Sequence, residues 1–141
     1  MSATPSSGAG PSNTDKTAAA HVLVAESLLL LRLAMSDEAP GERETAVLQR
    51  IAISAFGVAE ADAGEIVSAV TMLEGDREVA QARIGLRGSG RGHRLILAKL
   101  LLQIATGDPD LKPRHERLAA RVGEILALGD ADLAEITGKN G

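Results

Sequence analysis

Two stretches of this chain are apolar on nearly every side of a helix. One is Leu28-Leu29-Leu30-Leu31 followed by Leu33-Ala34; the other is Leu95-Ile96-Leu97 followed by Leu100-Leu101-Leu102. A helix that is apolar all round is buried in a core or spans a membrane. The longest apolar run, Val22 to Met35, is broken by Glu26 and Arg32. It is also shorter than the ~20 residues a span requires, so no membrane span is expected. Both runs are therefore placed at the centre of a helical bundle, as its two most buried helices.

The rest of the chain agrees. It lacks the alternating β-branched pattern of strands and is rich in Ala, Leu, Glu and Arg, which favour helix. The expected fold is all-α. About seven helices are expected, near 15–35, 41–56, 60–71, 76–86, 93–106, 113–128 and 131–137. Asn13 or Thr14 would cap the first. Leu48, Ile51, Ala52 and Ala55 fall at i, i+3, i+4 and i+7, a core stripe for the second. Gly57 and Gly129 read as helix stops, and Pro113 suits a first helical turn. The run Gly88-Ser89-Gly90-Arg91-Gly92 breaks the chain between the fourth and fifth helices.

With 141 residues the chain has the length of one domain. The segment 1–13, MSATPSSGAGPSN, is small and polar and reads as a disordered leader. It has neither a basic nor an apolar signal-peptide region, so a cytoplasmic location is expected. The domain is placed at 14–137, with 138–141 as a frayed end.

The two halves resemble one another. LLLLRLAMSD at 28–37 recurs as KLLLQIATGD at 99–108, a shift of 71 positions. The same shift places Asp37 on Asp108, Glu44 on His115, Arg50 on Arg121 and Ile51 on Val122. One inserted residue then brings Gly57 onto Gly129, and Glu65-Ile66 recurs as Glu135-Ile136. Each half reads as a buried helix, an acidic loop, an amphipathic helix, a stop and a further helix. The expected architecture is a pseudo-symmetric bundle around two central helices.

Composition removes several functions. There is no Cys, which excludes thiolate metal sites, disulfides and cysteine nucleophiles. Phe56 is the only aromatic, so base stacking on aromatic platforms is not expected. A formal net charge of -4 opposes generic binding to nucleic acid.

The acidic loops are the chief candidates for chemistry. The first gathers Asp37, Glu38, Glu42 and Glu44; the second gathers Asp108, Asp110, His115 and Glu116. Two uses compete. Carboxylates at a helix N-terminus satisfy free N–H groups and complement the helix dipole. Alternatively, their oxygens converge on a hard divalent cation such as Ca²⁺ or Mg²⁺. Glu44 and His115 lie along the core stripes of their helices, so both should point inward. The second loop is no EF-hand, because Pro113 replaces the required glycine.

Other motifs are weaker. His115-Glu116 begins a zinc-protease motif whose second His would be Ala119, so that reading fails. His21, His93 and His115 are too scattered for a metal triad. The glycine-rich run at 88–92 follows no strand and lacks a Walker lysine. The basic stretch around it, with Arg87, Arg91 and Arg94, is either ordinary surface charge or a docking site for an acidic partner.

The run Leu33-Ala34-Met35-Ser36-Asp37, then Glu44, then Phe56-Gly57-Val58, resembles the TerB-like tellurite-resistance domains. Ile104-Ala105-Thr106-Gly107-Asp108, with Leu111 and Pro113, is similar to a second copy of that pattern. Glu38 and Pro109 depart from it where a Gly often follows the loop Asp, as does His115 where a second Glu is expected. The resemblance implies an all-helical domain of tellurite-resistance and stress-response proteins. It also implies kinship with domains of membrane-anchored J-domain co-chaperones, and acidic residues suspected of binding metal. The expected function is a non-enzymatic cytoplasmic module that acts through protein partners. The alternative is a metal-dependent hydrolase using Asp37 and Glu44, or Asp108 and His115.

Overall fold

The computed structural model describes residues 21–35, 40–73 and 75–137. Among them are seven α-helices, a single 3₁₀ turn and no strand. They are α1 over 21–35, α2 (Glu42–Ser54), α3 (Glu60–Thr71) and α4 (Gly75–Arg87). Then come α5 (Arg91–Gly107), the 3₁₀ turn (Lys112–Arg114), α6 (His115–Ile125) and α7 (Asp130–Thr137). The all-α expectation therefore holds. The expected start of α1 and its cap at Asn13 or Thr14 fall outside the described residues, as do Asp37 and Glu38.

Local chemistry explains the boundaries. Gly41 sits extended before α2, and its N–H donates to Glu44 Oε1 at 2.9 Å. This is the carboxylate half of a capping box. Pro113 opens the 3₁₀ turn rather than α6 itself, since its missing N–H is harmless there. Helices α2 and α3 pack together, while α5 packs on α6 and α7, and α4 lies on α6.

The core is aliphatic. Leu28, Leu30, Leu31 and Leu33 of α1 are fully buried, as is Leu97 of α5, with Leu101 and Leu102 nearly so. In α1 the apolar character is matched by burial. In α5 it is matched only on one side: Ile96 is 56% exposed, and Lys99, Gln103 and Thr106 are exposed too. The expectation that α5 is buried all round is corrected accordingly. Its outer stripe is not covered by any described element.

The end of α6 also differs from the sequence reading. The helix stops at Ile125, and the residue in the left-handed region is Ala127, φ 54°, not Gly129. Leu128 N–H reaches back to Gly123 O at 2.8 Å and Ala127 N–H to Glu124 O at 3.3 Å. That is a Schellman closure with a non-glycine residue in the position glycine normally takes. Gly57, φ 66°, performs the matching role after α2. The counterpart of Gly57 is thus Ala127, and the second half is one residue shorter here, not longer. Glu65-Ile66 and Glu135-Ile136 fall into the same shortened register. Because Ala bears the strain of a positive φ, Ala127→Gly is expected to stabilise the fold by about 0.5–1 kcal/mol. The denaturant midpoint should rise with no change in slope.

Gly123 allows α6 and α7 to approach closely. A Cβ built there would lie 2.6 Å from Leu133 Cδ2 and 3.0 Å from Cδ1. The corresponding residues of the first half are Ala52 and Ala63, both fully buried. One half thus places Gly and Leu where the other places Ala and Ala. Gly123→Ala is expected to cost about 1–2 kcal/mol through overpacking. Adding Leu133→Ala should recover part of that loss, which thermal denaturation of the single and double variants would show.

Candidate functional site

The second acidic loop begins where α5 ends. Asp108 takes an extended backbone (φ −99°, ψ 126°) and stops the helix. Its Oδ2 accepts the N–H groups of Asp110 (3.0 Å) and Leu111 (3.1 Å). Its backbone oxygen accepts Lys112 N–H at 2.8 Å. This is an Asx-type turn that leads into the 3₁₀ turn. The carboxylate is almost fully buried, with Asp108 only 9% exposed.

A buried carboxylate needs more than two amides to offset its lost hydration. Arg50, from the middle of α2, supplies the rest. Its Nη2 donates to both Asp108 oxygens, at 2.7 and 2.9 Å, and its Nη1 lies 2.8 Å from Asp110 Oδ2. The Arg50 pKa is raised, first by the Asp108 hydrogen bond and further by Asp110, with partial burial working against both. The guanidinium is a planar fork suited to bidentate carboxylate contact. One cation is therefore shared by the two acidic side chains of the loop, and α2 of the first half is fastened to the second half.

The same connection recurs in the opposite direction. Arg121 of α6 is the counterpart of Arg50, and its Nη2 donates to Leu33 O at 2.9 Å, near the end of α1. Each half thus sends an arginine from its second helix to the end of the other half's first helix. Reading along the sequence aligned Arg50 with Arg121 but could not reveal this exchange. Spacing shows equivalence, not which half an arginine reaches.

The remaining acidic candidates among the described residues are dispersed. Glu42 is exposed in the first turn of α2, and Glu44 accepts the Gly41 N–H. Glu116 is exposed in the first turn of α6. Half-buried His115 starts α6 and faces a groove rather than the Asp108 carboxylate turn. Among the described residues, no three His, Asp or Glu side chains gather closely enough to hold a metal ion.

The basic stretch has a structural use. Arg87 donates through Nε to Ile125 O and through Nη2 to Glu124 O, each at 2.8 Å. Arg94 donates through Nη1 to Leu126 O at 2.7 Å and through Nε to Ser89 O at 3.0 Å. Arg91 pairs with Asp132 of α7. The carbonyls at the end of α6 are the negative pole of that helix and have no partners within it. Arg87, Arg91 and Arg94, read from the sequence as surface charge or a docking patch, each have a partner within the chain, while Arg87 and Arg91 stay exposed. His93 likewise contacts Glu26 of α1 at 3.0 Å.

What stays open is a groove of about 420 Å³ between α5, the start of α6 and α7. It is lined by Lys99, Gln103, Thr106, His115, Glu135 and Ile136, with Leu102, only 2% exposed, beneath. A smaller hollow of about 250 Å³ lies toward α2, beside Ile51, Ile104 and Asp108, and shares Gln103 with the groove. No described helix is long and apolar enough to cross a membrane.

These features define a class: an all-helical domain of two related halves, tied by reciprocal arginine contacts, with an open groove along α5. The chain belongs to the tellurite resistance protein TerB family, which it matches over residues 21–137. No match was found among curated proteins or among solved structures.

Proposed function

We propose that this chain is a non-enzymatic binding module of the tellurite-resistance type, acting in the cytoplasm in a stress response by docking a protein partner. The observation that carries this reading is the contrast between the committed charges and the open groove. Asp108, Asp110 and Arg50 are engaged with one another, and Arg87, Arg91 and Arg94 with α6 and α7. The groove along α5 is lined by polar side chains together with the half-buried Ile136, a mixture that suits a recognition surface.

The metal-dependent hydrolase alternative draws no support from this arrangement. Asp108 is turned onto Arg50 and two amides, while His115 lines the groove. A cation expected at the second acidic loop has a stand-in there, the Arg50 guanidinium. Ca²⁺ or Mg²⁺ would have to displace it from both carboxylates.

Two measurements test the proposal. A tagged chain at native expression, in tellurite-challenged cells, should migrate in a complex far heavier than its own 14.5 kDa. Migration at monomer mass under those conditions would refute a partner-docking role. Calorimetric titration with Ca²⁺, Mg²⁺, Mn²⁺ and Zn²⁺ separates the cation question. Wild-type chain should show no site that is lost in an Asp108→Asn, Asp110→Asn variant.

A further inference from the structure

The last helix of each half is anchored differently. In the first half, α3 buries Ala63, Val67 and Val70 at i, i+4 and i+7, one continuous stripe turned to the core. Its counterpart α7 starts at the matching place, since Glu60 falls on Asp130 and Glu65-Ile66 on Glu135-Ile136. However, α7 has eight residues where α3 has 12, and none of residues 130–136 is buried. Leu133 and Ile136 reach only half-burial. Buried apolar contact is what resists local opening of a helix, so α7 is held less firmly than α3.

Other contacts stand in for the missing stripe. Leu133 rests on Gly123 of α6, a small contact because Gly123 has no side chain. Asp132 pairs with Arg91, the first residue of α5. The Arg91 side chain is 62% exposed, and a pair so open to water is weak and sensitive to salt. It is a fastening that can be undone.

The end of α6 does not depend on α7. Its closure runs from Ala127 N–H to Glu124 O and from Leu128 N–H to Gly123 O, before α7 begins. Arg87 and Arg94 hold the neighbouring carbonyls. Leu133 N–H bonds Gly129 O, a bond that travels with α7. The chain can therefore pivot at Leu128-Gly129 while α6 stays intact.

We propose that α7 is a flap, latched by the Arg91–Asp132 pair, that swings away from α5 and α6 as one unit. Glu135 and Ile136 line one side of the groove along α5, so opening widens it and uncovers Leu102 and Gly123. The flap is a property of the free chain. It goes beyond the binding-module reading and does not rest on it.

Native-state hydrogen exchange of the full chain, read amide by amide at several low urea concentrations, is the test. Amides of Leu133, Ala134, Glu135 and Ile136 should share one protection and one urea dependence. They should exchange at least about tenfold faster than those of Val67 and Val70 in α3, corrected for intrinsic rates. Arg91→Gln leaves the sequence of α7 untouched and should speed exchange in α7 about threefold, with α3 unchanged. Raising the salt from about 0.01 to about 0.1 M, which shortens the screening length from about 30 to about 10 Å, should act in the same direction. Protection that falls stepwise from Leu133 to Ile136, with no urea dependence, would mean simple fraying and overturn the flap. Protection equal to that of α3 would overturn it too. Unchanged or slower exchange of α7 in Arg91→Gln would overturn the latch.

Discussion

Asp108→Ala is expected to lower the stability of the fold by about 3 kcal/mol. The side chain accepts two backbone N–H groups, from Asp110 and Leu111, and a forked contact from Arg50. A cap of this kind is worth about 1 kcal/mol on removal. Hydrogen bonds to a charged group are worth more than neutral ones, about 1.5–3 kcal/mol. The Arg50 side chain is 42% exposed, so water screens part of that contact and the lower end of the range applies. Leu111 N–H would keep only its longer bond to the backbone oxygen of residue 108, at 3.2 Å, while Asp110 N–H would lose its side-chain acceptor. Asp108→Asn should cost less, because a carboxamide oxygen can still accept one amide. Arg50→Met should cost least of the three, about 1 kcal/mol, since the two amides still serve the carboxylate. Urea denaturation of the three variants checks this ordering. A larger loss from Arg50→Met than from Asp108→Ala would reverse it.

The double variant Arg87→Ala, Arg94→Ala is expected to cost about 2–3 kcal/mol. Together the two side chains serve the carbonyls of Glu124, Ile125 and Leu126, with a further bond to Ser89. These are the carbonyls at the end of α6 and its cap; of the three, Glu124 O also accepts Ala127 N–H in the closure of the helix, where Leu128 N–H serves Gly123 O instead. Arg87 is exposed, so its share is smaller than that of half-buried Arg94. Removing both also loosens α4 from α6, because Arg87 is the last residue of α4. Hydrogen exchange should show the effect locally. Amides of Ala127 and Leu128 should lose protection before those of α2. Uniform loss across both halves would mean that the arginines hold the whole fold rather than this corner.

Much of the fold is legible in the residue order because its signals are local. Leu28 to Ala34 show an apolar surface all round, and that helix is buried. The Gly57 stop and the Glu44 cap follow from the conformations and partners those residues favour. The errors arise where a distant segment decides. Leu95 to Leu102 look as apolar as the first run, yet the outer stripe of α5 lies open because no described segment passes over it. Gly129 looks like the stop of α6, but closure at Leu128 forces Ala127 into the left-handed region. The site is less legible than the fold. Asp108 is visible as an acidic residue at a helix end, but its partner Arg50 is 58 positions away. Arg87 and Arg94 look like surface charge because the carbonyls they meet belong to backbone, which has no signature in the sequence.

The carboxylates of the second acidic loop serve the chain's own arginine. The direct test is a double-mutant cycle between Arg50→Met and Asp108→Asn, with unfolding free energies measured for all four proteins. Contacting charged partners couple by about 0.5–3 kcal/mol. A coupling of about 1 kcal/mol, with each single variant weakening the fold, is the expected result. Additive losses, with coupling below ~0.3 kcal/mol, would contradict it and return Asp108 and Asp110 to the pool of residues free to bind a ligand.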